Sequence, residues 1–97
     1  MNYTDKQLKQ ALAKMLPTMV YMNINGGSMY HKLDGKPQLV LDTELLHLCN
    51  RVELNLSWSE FSVFRKGLTN QLIRIESASW QQRVVALAEV KGIEIIS

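Results

Sequence analysis

The sequence SWSEFSVFRKGLTNQLIRI, residues 57–75, is the strongest structural signal in the chain, because its apolar residues recur at helical spacing. At 100° per residue, one side of this predicted helix carries Trp58, Phe61, Phe64, Leu68, Leu72 and Ile75. Ser57 with Glu60 three residues later has the form of a capping box and predicts the helix start. Gly67 costs about 1 kcal/mol relative to alanine. Three aromatic rings on one side need cover, so we expect other elements to pack there.

Length and composition indicate a single domain, 1–97, with one core. The 46% hydrophobic and 21% charged residues are typical of a globular protein. A net charge of +2, from 11 basic and 9 acidic residues, excludes an acidic DNA mimic and is low for a strong nucleic-acid binder. A single cysteine fits a reducing compartment. No apolar run reaches the ~18 residues of a membrane span, so we expect a cytoplasmic protein without a membrane partner.

The N-terminal part of the chain predicts one helix and a small sheet. Thr4 with Gln7 marks a helix start, and Pro17 ends the helix because it disfavours helical geometry in the residue before it. The Asn-Gly pair at 25–26 and the Asp-Gly pair at 34–35 then separate short β-like runs, as hairpin turns do. We therefore predict a three-stranded antiparallel meander.

Three further elements follow the meander, and Asp42 is placed to cap the first of them. The buried side of that helix is predicted to hold Leu45, Leu48, Cys49 and Val52. After the helix at 57–75, a fourth helix starts near Ser79 and ends at Gly92, and residues 93–96 form a candidate fourth strand. The predicted fold class is α+β, in the order α-β-β-β-α-α-α, with about four helices packed against the sheet.

The hairpin offers a candidate partner-binding surface. Its tip can be 25–26 or 26–27, and both registers give the same two faces. The predicted core face carries Val20, Met22, Ile24, Met29, His31 and Leu33. The other face presents Tyr21, Tyr30 and Lys32, which could anchor a protein partner or stack on bases. Alternatively, the first helix covers this face, or the tyrosines form a cross-strand pair.

No sequence motif indicates catalysis. Gly26-Gly27 lacks the lysine and helix of a phosphate loop, and neither a hydrolase elbow nor a zinc-protease motif occurs. His47 and Cys49 would point in different directions from a helix, so we predict no metal site. Cys49 is predicted to be a buried small hydrophobe, and His31 a hydrogen-bonded structural histidine. We expect a protein that is not an enzyme and uses no cofactor.

A nucleic-acid alternative rests on two consecutive helices, 42–56 and 57–75, joined as in a helix-turn-helix. Lys66, Asn70 and Arg74 on the second helix suit phosphates and base edges. The connection lacks the glycine or small residue common at such a turn, which counts against this alternative.

Several short segments carry a resemblance to a known group. SWQQR at 79–83, ALA at 86–88 and KGI at 91–93 resemble the closing segment of short accessory proteins of lambda-like temperate bacteriophages and prophages, and LDTELLH at 41–47 is similar to the same group. The resemblance implies a bacterial host cytoplasm and interference with a defence system, and it assigns no functional residue. We expect a protein-binding module that inhibits a host defence or nucleic-acid-processing complex; the alternative is a small DNA-binding regulator.

Overall fold

A computed structural model of the protein describes residues 3–16, 20–23 and 27–96. Within these ranges the chain forms four helices: α1 (Asp5–Met15), α2 (Leu45–Leu54), α3 (Trp58–Asn70) and α4 (Trp80–Lys91). The same ranges contain the antiparallel strands β1 (Val20–Asn23), β2 (Ser28–Leu33) and β3 (Lys36–Leu39), in that spatial order. Short 3-10 turns at Asp42–Glu44 and Ile75–Ser77 precede α2 and α4. Among the described helices, none has the length and apolar character needed to cross a membrane.

Local sequence rules set the starts of three helices. At α3, the Glu60 amide donates to Ser57 Oγ at 3.2 Å, and the Ser57 amide donates to Glu60 Oε1 at 2.9 Å. The same reciprocal pair forms at Thr4 and at Ser79, so the capping boxes predicted at Thr4 and Ser57 are confirmed. The predicted Asp42 cap is wrong, because the Leu41 amide instead donates to Glu44 Oε2 at 2.7 Å.

The first two strands pair in a register that sets Tyr21 opposite Tyr30. Between β2 and β3, Asp34 and Gly35 both have positive φ, at 54° and 76°, which is the geometry of a tight hairpin turn. The predicted helix end at Pro17 and the turn at 25–26 lie outside the described residues.

Helix α4 is the centre of the core, because α1, α2 and α3 all pack against it. It contributes four buried apolar residues, Val84, Ala86, Leu87 and Ala88. The buried side predicted for α2 is confirmed, with Leu45, Leu48, Cys49 and Val52 all inside.

The predicted fold class is wrong in the role it gives the sheet. Helices are expected to pack on a three-stranded layer, yet among the described residues only the two antiparallel strands β1 and β2 pack extensively against a helix, and that helix is α1. Every residue of β3 is exposed, because an edge strand with lysine, proline and glutamine offers no apolar face to cover. The four helices instead bury their apolar sides against one another.

The candidate fourth strand at 93–96 is also wrong. The left-handed residue Gly92 ends α4 and turns the chain, so that the Ile93 amide donates to the Ala88 carbonyl at 2.9 Å. Ile93 and Ile95 are half-buried and pack against the helical core without pairing to a strand. Their apolar character is therefore used for packing on α4.

Helix α3 is turned away from the orientation that its apolar stripe predicts. Phe64 and Leu68 are buried as expected, but Trp58 is 87% exposed. The cause is Gly67, which faces α4: a Cβ atom at this position would lie 3.3 Å from the Ala86 Cβ atom. Because the two helices touch at this glycine, the outer part of the predicted stripe is left in solvent. The helix also ends at Asn70 and not at residue 75.

We expect the substitution Gly67→Leu to lower the free energy of unfolding by about 2 kcal/mol, because a side chain there would push α3 off α4. Urea unfolding followed by circular dichroism measures the change. Thr69→Leu, on the exposed side of the same helix, is the matched control and should stay within about 0.5 kcal/mol of the wild type. Equal stability of the two variants would contradict the close contact.

Candidate functional site

The solvent-facing side of α3 carries an unusual surface, which we name the α3 outer face: Trp58, Ser62, Arg65, Thr69 and Leu72. All five are exposed, and the first four recur at helical spacing while Leu72 follows the helix end. Its two ends are apolar and lie about 20 Å apart by the helical rise. An exposed helix face is usually polar. The solvent-exposed Trp58 and Leu72 at the two ends of the α3 outer face therefore identify it as a candidate binding surface.

The first end of this surface is an apolar corner formed by Leu54, Leu56, Trp58 and Phe61. Leu54, the last residue of α2, is 85% exposed, and Trp58 is the first residue of α3. A shallow groove of about 230 Å³ lies between Leu56, Ser57, Trp58 and Phe61. Tryptophan is among the side chains that contribute most to protein interfaces, so this corner suits protein recognition.

The second end is a groove with two cations, which we name the arginine groove. It has a volume of about 460 Å³ and is lined by Arg65, Thr69, Leu72, Ile73, Arg74 and Glu76, with Leu68 and Ile75 beneath. Both arginines are exposed, and neither guanidinium has an ion pair or hydrogen bond with any residue that the structure describes. One carboxylate, on Glu76, also lines the groove, so cations outnumber anions there.

Leu72 holds a backbone conformation that leucine rarely adopts. Its φ is 59°, and the amides of Leu72 and Ile73 donate to the carbonyls of Thr69 and Leu68, which is the Schellman motif. Helix α4 ends in the same motif with Gly92 at the equivalent position, at φ 67°. A left-handed leucine is strained relative to glycine, and its side chain is 95% exposed, so the folded chain gains no packing from it.

A buried arginine fixes the chain segment that forms one wall of the arginine groove. Arg83 on α4 is 8% exposed, and its Nε donates to the Ala78 carbonyl at 3.2 Å while Nη2 donates to the Ile75 carbonyl. Its Nη1 donates to Glu53 Oε1 on α2 at 2.6 Å. The guanidinium therefore ties α2 and the Ile75–Ser77 turn to α4.

Glu53 is the acidic partner of Arg83, and its carboxylate is largely buried. Burial raises the pKa of its carboxyl, and the guanidinium of Arg83 opposes the increase. Its second oxygen, Oε2, is buried without a hydrogen-bond partner among the described residues. The charged form of Glu53 therefore depends on Arg83 to remain in the core.

Arg83 was not predicted as a functional residue from the sequence, where it appears only within the SWQQR segment. A signal was present, because Trp80, Val84 and Leu87 recur at helical spacing and Arg83 falls on the same side of the helix. A charged residue at such a position predicts a buried ion pair, with the acid on a neighbouring helix.

The cysteine and the two histidines considered for catalysis lie in different environments. Cys49 is buried as predicted, its Sγ donates to the Trp80 carbonyl at 3.7 Å, and burial together with Glu53 raises the pKa of its thiol to about 12. At neutral pH this thiol stays protonated and is a poor nucleophile. His47 is exposed, and His31 is half-buried. Within the described residues, no group of three or more His, Cys, Asp or Glu could hold a metal ion.

The predicted partner surface on the hairpin is described in part. Tyr30 is half-buried and Lys32 exposed, and the backbone of Tyr21 pairs with that of Tyr30. The Tyr21 side chain lies outside the described part of the structure. Helix α1 contacts both strands of this hairpin. The binding role of Tyr21, Tyr30 and Lys32 stays a prediction.

The residues of the nucleic-acid alternative are exposed but divided. Lys66 and Asn70 lie on α3, whereas Arg74 lies beyond its end and shares the arginine groove with Arg65. The division arises because α3 stops at Asn70, so helical spacing no longer applies at Arg74. In addition, α2 and α3 each pack on α4, with little contact between them.

We expect Leu72→Gly to raise the free energy of unfolding by about 1 kcal/mol, because glycine adopts positive φ without the strain of a side chain. Thermal and urea unfolding of the purified protein measure it. The matched control is Gly92→Leu, which should lower stability by a similar amount at the equivalent position of α4. A Leu72→Gly variant less stable than wild type would show that the leucine side chain supports the fold.

We expect Arg83→Met to lower the free energy of unfolding at pH 7 by about 3 kcal/mol, because Glu53 would remain buried without its cation. Without the guanidinium, the pKa of Glu53 should rise further above its ordinary value. A carboxyl whose pKa is raised in the folded state contributes stability at low pH, and this contribution is lost as the pH rises. The difference in free energy of unfolding between Arg83→Met and the wild type should therefore shrink from pH 7 to pH 5.

Urea unfolding across that pH range tests the Arg83→Met prediction. The matched control is Arg65→Met, an exposed arginine, which should change stability by no more than about 0.5 kcal/mol and equally at both pH values. A deficit below about 1 kcal/mol, or one independent of pH, would contradict the role assigned to the Glu53–Arg83 pair.

Comparison of the chain with protein-family models, with curated proteins and with solved structures finds no match. The candidate site is therefore defined by its own geometry. It consists of the apolar corner at the start of α3 and the arginine groove at its end, joined by the α3 outer face.

Proposed function

We propose that the protein is a non-enzymatic binding module that docks on another protein through the apolar corner. The observation that carries this proposal is the 87% exposure of Trp58, together with the 85% exposure of Leu54 four residues earlier in the chain. Covering an aromatic side chain removes roughly 200 Å² from water, which is worth on the order of 5 kcal/mol before the costs of association. A partner with an apolar pocket for the indole ring would gain this energy.

The corner is held in place before any partner binds. Trp58 follows the Ser57 cap directly, and the Glu60 carboxylate of that cap also forms an ion pair with Lys91 at 3.4 Å. The hydrogen bond from the Ser57 amide lowers the pKa of Glu60 below its ordinary value, so the cap keeps its charge to a lower pH than an ordinary glutamate would. A fixed backbone under an exposed tryptophan reduces the entropy lost on binding.

The identity of the partner class rests on the sequence resemblance. Segments 79–83 and 41–47 resemble phage and prophage accessory proteins, which supports a bacterial host protein as the partner. We propose inhibition of a host defence or nucleic-acid-processing complex as the outcome of docking. The protonated, buried thiol of Cys49 is consistent with a role in binding and not in catalysis.

Affinity capture from bacterial lysate, read by mass spectrometry, tests the proposal with matched variants. The double variant Leu54→Ser/Trp58→Ser should lose a stoichiometric partner that the wild type captures. Leu39→Ser removes an exposed apolar residue from β3 instead and should retain that partner. The substituted residues are exposed in both variants, so the free energy of unfolding should stay within about 0.5 kcal/mol of the wild type. Capture of no partner, or its retention by the double variant, would contradict the proposal.

The alternative function is a small DNA-binding regulator, supported by the exposed Lys66, Asn70 and Arg74. Binding through phosphates weakens steeply as salt increases. Fluorescence anisotropy with a labelled duplex, from low to physiological salt, therefore separates the two functions. Absence of binding at low salt would remove the regulator.

A further inference from the structure

We propose that the arginine groove binds an acidic segment of the partner protein, with an aliphatic residue of that segment placed against Leu72. This inference rests on the protein-binding function proposed above and specifies the chemistry of a second contact. The α3 outer face joins the two contacts, so a single partner can reach both.

The charges of the groove select an acidic ligand. Arg65 and Arg74 come from different parts of the chain, one on α3 and one after it, yet they line the same cavity of about 460 Å³. Neither guanidinium is neutralised by an ion pair with another described residue. Arginine presents a planar fork of donors that matches a carboxylate with two parallel hydrogen bonds.

The remaining lining of the groove favours a peptide over a nucleic acid. Leu72 and Ile73 line it, and the residues beneath are Leu68 and Ile75, so its non-cationic surface is largely aliphatic. Single-stranded nucleic acid is held by aromatic stacking, and the groove has no aromatic residue among the described residues that line it.

The groove is preorganised on both sides. Arg83 holds the carbonyls of Ile75 and Ala78, and the Gln71 side chain donates to the carbonyls of Gly67 and Gln82 at 3.4 and 3.5 Å. These bonds fix the wall after α3 and the last turn of α3 against α4. A fixed groove loses little entropy when a ligand binds.

Leu72 supplies an independent observation that points to a ligand. Its left-handed backbone is strained, and its side chain is 95% exposed, so the described residues cover little of it. Gly92 shows that the same helix end forms with glycine in this chain. An aliphatic residue of a bound segment would give the Leu72 side chain the contact that the isolated protein lacks.

Cations near a helix end also have a simpler role, because they interact favourably with the backbone carbonyls at the C-terminus of α3. That role would affect stability alone. The test therefore measures ligand binding and stability on the same variants.

Titration with blocked five-residue peptides, followed by amide chemical shifts, tests the proposal on the full chain. A peptide of alternating glutamate and leucine should shift the amides of Thr69, Leu72 and Ile75. The same peptide with glutamine replacing glutamate should bind at least about tenfold more weakly. The double variant Arg65→Gln/Arg74→Gln should lose about tenfold or more in affinity for the acidic peptide. Lys66→Gln, an exposed cation outside the groove lining, should keep affinity within about twofold.

Three outcomes would overturn the proposal: equal affinity for the two peptides, shifts confined to residues outside the groove, or tighter binding of a short thymidine oligonucleotide at the same amides. Failure of this inference differs from failure of the proposed function. If Arg65→Gln/Arg74→Gln captures the lysate partner as well as wild type while Leu54→Ser/Trp58→Ser loses it, the groove proposal fails and the protein-binding function stands. Loss of the partner by both variants, with unchanged unfolding curves, supports both.

Discussion

The contact between Gly67 and Ala86 determines which residues of α3 reach solvent. Because Gly67 has no side chain, α3 can lie against α4 with Phe64 and Leu68 inside, and any Cβ atom there would crowd Ala86 at 3.3 Å. The helix is thereby rotated so that Trp58 lies at the edge of the contact. The exposure of Trp58 thus follows from the packing of α3 on α4 at Gly67, and α3 can be both a core element and the candidate binding surface.

Arg83 extends this arrangement from the core to the surface. Its largely buried guanidinium donates hydrogen bonds to two backbone carbonyls and one carboxylate. Buried ion pairs contribute little net stability when compared with apolar side chains of similar size, because desolvation is costly. The structural role of Arg83 is to join α2, α4 and the Ile75–Ser77 turn. That turn forms one wall of the arginine groove.

Local rules predicted the parts of the structure that depend on neighbouring residues. The capping boxes at Thr4 and Ser57 and the Asp-Gly turn at 34–35 need only a few adjacent side chains, and each formed. The errors concern contacts between elements. Helical periodicity could not show that Gly67 faces Ala86, that the sheet gives only two strands to the core, or that α3 ends at Asn70. The candidate site was predicted only in part. Helical spacing grouped Arg74 with Lys66 and Asn70, and it therefore did not predict that Arg74 shares a groove with Arg65.

The two ends of the α3 outer face place complementary demands on a partner. A partner that used both ends would need an apolar pocket about 20 Å from an acidic segment, and this distance fits within an ordinary protein interface. Apolar anchors supply most of the affinity of such contacts, whereas charges set orientation and suppress wrong partners. Leu72 and Gly92 each end a helix in the same backbone geometry. The helix end at residue 72 therefore does not require leucine. The strain and exposure of Leu72, beside two arginines that form no ion pair with a described residue, therefore do not contribute to stability and are what the proposed ligand would account for.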